Sequence, residues 1–117
     1  MTYHELVEKA RETFEYSDAR AVFEHVAIQV NIIGEGSGAF YIEIAQRQVS
    51  VEPYDYYDRD GLITTTAENL ILIAEGKLSF MEAVAEGKIQ YSGDMEKLKL
   101  FEKVKIKRKG NKQTSGK

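Results

Sequence analysis

The sequence of 117 residues contains no cysteine, no tryptophan and one proline. Without cysteine it can form no disulfide bond and has no thiol for catalysis or metal binding. The longest apolar run, residues 70–74, is far shorter than the roughly 20 apolar residues of a membrane-spanning helix, and the polar first residues do not resemble a signal peptide. We therefore expect a soluble protein, and the lack of cysteine is consistent with the reducing cytoplasm.

Length and composition predict one small folded unit. A chain with 43% hydrophobic and 30% charged residues is typical of a single globular domain. Residues 110–117 contain nothing that would join a core, so we expect a domain over residues 1–109 and then a flexible tail. Charge is distributed unevenly: residues 1–94 contain 7 Lys and Arg against 17 Asp and Glu, whereas residues 95–117 contain 9 against 2.

Hydrophobic periodicity predicts the elements of the first half. Apolar residues at helical spacing from Tyr3 to Phe14 predict an amphipathic helix over about residues 2–16. From Val22 the period changes to two, which predicts a long strand, and a glycine-rich turn and two further strands follow, the last ending near Pro53. The residues predicted to face inward on the first two strands include Val26, Ile28, Val30, Phe40, Ile42 and Ile44. The polar face of the first strand is predicted to carry Phe23, His25, Gln29 and Asn31.

Capping motifs and glycines divide the second half into short elements. After a short strand over residues 62–65, Thr65 and Glu68 form a capping-box pattern that predicts a helix start, and Ser79 and Glu82 form another. A glycine follows each helix, and then come a strand and a helix capped by aspartate. The predicted order is α-β-β-β-β-α-α-β-α, an α+β fold with a five-stranded, mostly antiparallel sheet.

The second half also carries an ordered string of short motifs. In chain order these are Gly76-Lys77-Leu78, Ala83 in a short helix, Gly87-Lys88-Ile89, a strand over residues 88–91, and Gly93-Asp94-Met95. The string resembles the signature of the sterol carrier protein family of lipid-binding and lipid-transfer domains, and the order of elements extends the likeness over about residues 22–104. The resemblance implies helices covering one face of the sheet. It also implies a non-enzymatic function, the binding or transfer of a fatty acid, an acyl-CoA or a related lipid.

The resemblance further implies that the lipid lies in an apolar tunnel between sheet and helices. Composition alone favours a solid core, because protein interiors pack to crystal-like density. A tunnel would suit a hydrocarbon tail, since each buried methylene contributes ~0.8 kcal/mol, and methionine side chains adapt to irregular ligands. The residues expected to line the tunnel are Val26, Ile28, Val30, Phe40, Ile42, Ile44, Leu70, Ile73, Phe80, Met81, Val84, Met95, Leu98 and Phe101.

The motifs for catalysis and metal binding are weak. His4 and His25 are isolated, without the acidic or histidine neighbours that a metal site needs. Ser37 lies in a glycine turn between two strands, whereas a nucleophilic serine or a phosphate-binding loop needs a strand followed by a helix. We therefore predict no catalytic residue, no metal and no cofactor, and an enzyme acting on lipid headgroups ranks last among the functions.

Several features leave alternatives open. The acidic, tyrosine-rich loop over residues 54–60 is either solvated, a rim of the ligand entrance or a partner surface, and Tyr91 either anchors a headgroup or faces solvent. The whole domain could instead be an interaction or accessory module whose apolar groove binds a partner helix or subunit. The basic stretch near the end fits an anionic membrane better than nucleic acid, because no stacking aromatics interleave it, or it only solubilises the chain. The residues expected to contact such a membrane are the basic residues at the end of the predicted domain, namely Lys103, Lys105, Lys107, Arg108 and Lys109.

Overall fold

The computed structural model describes residues 1–106. Its order of elements matches the predicted α-β-β-β-β-α-α-β-α, with a π-helical turn after the first helix and a 3-10 turn after the last. The elements in chain order are α1 (Tyr3–Ala10), the π-helical turn (Arg11–Glu15), β1 (Val26–Ile33), β2 (Gly38–Ala45), β3 (Gln48–Glu52), β4 (Gly61–Thr66), α2 (Ala67–Ala74), α3 (Phe80–Ala85), β5 (Gln90–Gly93), α4 (Met95–Lys99) and the 3-10 turn (Leu100–Lys103).

The five strands form one sheet in the order β3-β2-β1-β4-β5. Only the central pair, β1 and β4, runs parallel, so the prediction of a mostly antiparallel sheet is confirmed. The parallel pair follows from connectivity: after the β1-β2-β3 meander the chain crosses back over the sheet before it enters β4. The crossing segment is the tyrosine-rich loop.

The helices pack on one face of the sheet and bury it, as predicted. The six inward-facing residues predicted on the first two strands are all buried, which confirms the alternation. They form a single apolar cluster with the buried faces of α1, α2, α3 and α4. The core therefore lies between the sheet and the helices, where any internal ligand site must also lie.

Gln29 lies on the opposite face of the sheet, as predicted, but this face is not simply solvated. Gln29 is only 5% exposed, because the tyrosine-rich loop covers it: its side-chain oxygen accepts a hydrogen bond from the backbone N–H of Tyr56 (3.1 Å). The Tyr56 ring packs edge-on against Tyr41 at 4.7 Å between centroids. Asp60 closes the loop, since its carboxylate accepts from the N–H of Ala27 at 2.8 Å.

The contact between Asp60 and Ala27 gives a first prediction. Replacing Asp60 with alanine is expected to lower the free energy of unfolding by about 1–3 kcal/mol, because a buried backbone N–H loses its charged acceptor. Urea unfolding followed by circular dichroism measures the change. Asp58 is exposed in the same loop and serves as the control, with an expected cost within about 0.5 kcal/mol. Equal losses in the free energy of unfolding for the two variants would show that the loop does not stabilise the sheet.

Two predicted element starts differ from the structure. Thr66, not Thr65, caps α2 by accepting from the N–H of Asn69, because the buried hydroxyl of Thr65 is engaged elsewhere and donates to the carbonyl of Lys88. The capping box of Ser79 and Glu82 is present as predicted. The first strand begins at Val26 rather than four residues earlier, after a turn that precedes it.

The last strand also begins later than the predicted residue 88. The N–H groups of Lys88 and Ile89 both donate to the carbonyl of Ala83, at 2.8 and 3.3 Å, and so close the end of α3. Pairing with β4 therefore starts only at Gln90. Tyr91, one of the residues left open above, does not point freely to solvent: its hydroxyl donates to the carbonyl of Asp94 (2.7 Å), and burial raises its pKa to about 12.

Candidate functional site

An apolar cavity of about 210 Å³ lies among the helices, and it is partly open to solvent. Its walls come from the end of the first helical segment, the end of α2, the start of α3, the 3-10 turn and the residues after that turn. The lining residues are Phe14, Ile73, Gly76, Lys77, Leu78, Ser79, Phe80, Glu82, Phe101, Glu102, Val104 and Ile106.

Three phenylalanine rings form a row along the inner wall of this cavity. Phe80 stacks on Phe14 with 6.1 Å between ring centroids and packs obliquely on Phe101 at 5.0 Å. All three rings are buried. Each ring comes from a different element: the π-helical turn, α3 and the 3-10 turn. They meet because each lies on the inner, apolar face of its helical segment. The row gives the cavity an aromatic, apolar inner surface.

The outer wall is a short terminal segment, residues 103–106. The backbone is already extended at Val104 (φ −83°, ψ 128°), so successive side chains point to opposite sides. Val104 and Ile106 line the cavity and are half-buried, whereas Lys103 and Lys105 face away from it and are exposed.

The terminal segment is fastened to the turn that follows the first helical segment. Asp18 and Lys105 form an antiparallel bridge in which each N–H donates to the other's carbonyl, at 2.9 and 2.8 Å. The side chain of Ile106 lies beside the backbone of Gly76, where an added Cβ would be 3.6 Å from it. Among residues 1–106, this wall is held to the loop by the two hydrogen bonds of the bridge and packs through two half-buried side chains, unlike the helical walls behind it.

The charged side chains of the cavity lie at its solvent end. Lys77 is exposed and pairs with Glu75 at 3.2 Å. Glu82 is held in the capping box, where its carboxylate accepts from the N–H of Ser79 at 2.9 Å. Glu102 is also exposed. The interior is thus apolar and the mouth polar, which is the arrangement of a site for an amphipathic molecule.

The structure brings three of the fourteen predicted site residues to this cavity: Ile73, Phe80 and Phe101. The other predicted residues do not line it. Eight are buried in the adjoining core: Val26, Ile28, Val30, Phe40, Ile42, Ile44, Leu70 and Leu98. Met81 and Val84 are half-buried, and Met95 is 36% exposed. A lipid contact at any of the fourteen stays a prediction.

Sequence reasoning missed four apolar residues of the cavity wall: Phe14, Leu78, Val104 and Ile106. Phe14 was predicted only to be part of the apolar face of the first helix. The alternation of Lys105, Ile106 and Lys107 was a signal for an extended segment, but only the fold shows where that segment packs.

Residues 1–106 contain no group of three or more acidic or histidine side chains placed to hold a metal ion. His25 is instead paired with Glu43, at 2.5 Å between Nε2 and Oε2. No helix in this part of the chain has the length and apolar character needed to cross a bilayer.

The chain was compared with known proteins. No curated protein matches it. Among solved structures it is similar to the UbiJ-SCP2 ubiquinone synthesis protein (17% identity, TM-score 0.61, 85% of this chain and 88% of that one). It is also similar to palmitated SCP2L2 from Aedes aegypti (23% identity, TM-score 0.55, 82% and 86%).

A third similar structure is the sec-alkylsulfatase Pisa1 from Pseudomonas sp. (16% identity, TM-score 0.57). The match covers 85% of this chain but only 14% of the alkylsulfatase, so the chain corresponds to a small part of that protein. At these identities the structures show a shared fold. The SCP-2 sterol transfer family matches the sequence over residues 4–105. The chain therefore belongs to the SCP-2 sterol transfer family.

Proposed function

We propose that this chain is a non-enzymatic lipid carrier that holds the tail of a fatty acid, an acyl-CoA or a related lipid in the cavity beneath the terminal segment. Membership of the SCP-2 sterol transfer family supports lipid binding. The palmitated relative supports a fatty acyl chain as the ligand class. The single observation that carries the proposal is the apolar cavity whose outer wall is an extended segment bridged to the loop at Asp18 and Lys105.

The cavity must widen before a long acyl chain can enter it. Its 210 Å³ lies below the roughly 300 Å³ at which pockets for small organic ligands begin. A tail of about 16 carbons gains on the order of 10 kcal/mol from burial, before ordering costs. That gain is larger than the cost of breaking the two hydrogen bonds of the bridge, at about 1 kcal/mol each, and exposing two half-buried side chains.

The terminal segment is the wall that we expect to move. Opening the cavity by displacing the whole last helix would cost more free energy, because it would expose Leu98 and Phe101, which are buried in the core. Deletion of residues 95–117 would therefore remove core side chains along with the entrance. Displacing residues 103–106 alone would join the cavity to solvent and leave the phenylalanine row in place.

A reversible covalent lock tests this entrance. The chain has no cysteine, so Asp18→Cys with Lys105→Cys introduces the only two thiols. The two residues are a hydrogen-bonded antiparallel pair, whose Cα atoms lie about 5.5 Å apart, within the range of a disulfide. We expect the oxidised variant to take up a fluorescent fatty acid at least tenfold more slowly than the same protein after reduction.

The two single-cysteine variants control for the loss of the native side chains. Their uptake rates should not respond to the reductant. Equal uptake by the locked and reduced double variant, with the disulfide confirmed by mass spectrometry, would show that the terminal segment is not the entrance. Absence of any saturable fatty-acid binding in the reduced protein would contradict the carrier function itself.

The cellular setting belongs to the same proposal. We propose a cytoplasmic carrier that contacts anionic membranes through its basic stretch. Lys103 and Lys105 are exposed and support that contact, whereas Lys107, Arg108 and Lys109 lie outside the described residues, as does the predicted tail over residues 110–117.

Native mass spectrometry distinguishes a lipid carrier from an accessory module that binds a partner protein. A co-purified lipid supports the carrier, and a lipid-free dimer supports the accessory module.

A further inference from the structure

A second pocket lies on the other side of the terminal segment, and its lining is basic. It has a volume of about 350 Å³ and is lined by Asp18, Arg20, Ala21, Arg47, Lys103 and Lys105. We propose that this basic pocket, together with the exposed ring of Phe23 beside it, docks the protein on the surface of an anionic phospholipid bilayer. The inference rests on the proposed carrier function and names the membrane-facing side of the molecule.

The charge of the pocket is strongly positive. Its one carboxylate, Asp18, is engaged by Arg20, with 2.9 Å between the guanidinium and the carboxylate oxygen. Within residues 1–106, no carboxylate lies within ion-pair distance of Arg47, Lys103 or Lys105. Three cations without an ion-pair partner in this part of the chain therefore line one opening, which is complementary to the phosphate groups of anionic lipids.

The fold collects these cations from distant parts of an otherwise acidic region. Residues 1–94 contain only 7 Lys and Arg against 17 Asp and Glu. Arg20 comes from the turn after the first helical segment, and Arg47 comes from the turn between β2 and β3. Both lie beside the two lysines of the terminal segment. In the sequence, basic residues are concentrated only near the end of the chain. In the structure, the basic surface also includes Arg20 and Arg47 from these two turns.

The backbone of the β2-β3 turn is strained at the position of Arg47. Gln46 and Arg47 both have positive φ, 52° and 64°. A two-residue hairpin turn of this kind favours Asn-Gly, because the left-handed region is unfavourable for most residues that carry a Cβ. A glycine at position 47 would relieve that cost, yet the turn presents an arginine towards the pocket. Retained strain of this kind is typical of functional positions.

An exposed aromatic ring adjoins the pocket. Phe23 is 73% exposed, and the guanidinium of Arg47 lies 4.6 Å from the centre of its ring. The Nε of Arg47 also donates to the carbonyl of Arg20 at 2.8 Å, which fixes the three residues relative to one another. An apolar ring beside cations suits the boundary between lipid headgroups and acyl chains, where amphipathic groups bury their apolar part and keep the charge in water.

The position of the pocket links docking to cargo exchange. Lys103 and Lys105 face the basic pocket, while Val104 and Ile106 of the same extended segment face the apolar cavity. A bilayer that attracts the lysines would therefore pull on the outer wall of the cavity. The lipid would then leave towards the membrane rather than into water.

Vesicle flotation with lipid-free protein tests the docking surface without relying on uptake. We expect binding to phosphatidylcholine vesicles only when they contain phosphatidylglycerol, with the binding decreasing as salt increases. Arg47→Gly should weaken binding about fivefold, the equivalent of about 1 kcal/mol for one cation at the surface. Gln46→Gly is the matched control, since it relieves the same strain in the same turn and removes no charge.

A combined variant, Arg47→Gly with Lys103→Ser and Lys105→Ser, is expected to lose about a hundredfold. Wild-type vesicle binding by this folded variant would overturn the proposal. Binding of inorganic phosphate at the pocket, with no preference for anionic vesicles, would also overturn it, because the site would then serve small anions. A chain that docks on anionic vesicles but takes up no fatty acid would refute the carrier function and leave the docking surface standing.

Discussion

Replacing Phe80 with alanine is expected to lower the free energy of unfolding by about 3–5 kcal/mol. Phe80 is 4% exposed and occupies the middle of the phenylalanine row, so its removal leaves a void between Phe14 and Phe101. A loss of this size approaches the whole stability of a marginal domain, which is about 5–15 kcal/mol. Chemical unfolding followed by circular dichroism measures it.

Phe23 supplies the matched control, because it is the same residue type at an exposed site. Phe23→Ala loses one cation–π contact with Arg47 and is expected to cost no more than about 1 kcal/mol. The Phe80 variant also has a larger cavity, so saturating palmitate should raise its melting temperature more than that of the wild type. A cost below about 1 kcal/mol for Phe80→Ala would mean that the phenylalanine row is not the structural base of the site.

The second large effect is expected on ligand affinity. Val104→Trp places an indole on the outer wall of a cavity of only 210 Å³. We expect palmitate affinity to fall at least tenfold, the equivalent of excluding about two methylenes at ~0.8 kcal/mol each. Isothermal titration calorimetry measures the loss. The native chain has no tryptophan, so the new indole also reports on the cavity by its fluorescence.

Lys99→Trp is the control for the second prediction, since it adds the same ring at an exposed position of α4, away from the cavity lining. Its palmitate affinity should equal that of the wild type. Unchanged affinity in the Val104 variant, with both proteins folded, would place the acyl chain outside the cavity.

The architecture could be predicted because local signals and tertiary contacts agree over most of the chain. Alternating Val26, Ile28 and Val30 bury one side of a strand, and Ser79 with Glu82 starts a helix by hydrogen bonds within one turn. Such signals depend on residues close in sequence. Where the decisive partner is distant, as for Gln29 under the loop, no local pattern in the sequence predicts burial.

The position of the cavity was harder to predict for the same physical reason. Apolar spacing suggested that Met95, Leu98, Phe101 and Val104 share one helical stripe. The α-helix ends at Lys99, and the backbone then tightens and becomes extended at Val104, so the stripe does not continue. Val104 lies on the outer wall because its neighbour Lys105 is bridged to Asp18, 87 residues earlier in a loop, and no local pattern encodes that pairing.

Intermolecular nuclear Overhauser effects between ¹³C-labelled palmitate and the protein test the central claim most directly. Acyl methylenes should show contacts to Phe80, Phe101 and Val104, and the amide signals of Asp18 and Lys105 should shift as their bridge opens. Saturable binding with contacts confined to other surfaces, while the signals of the phenylalanine row stay unchanged, would contradict the account.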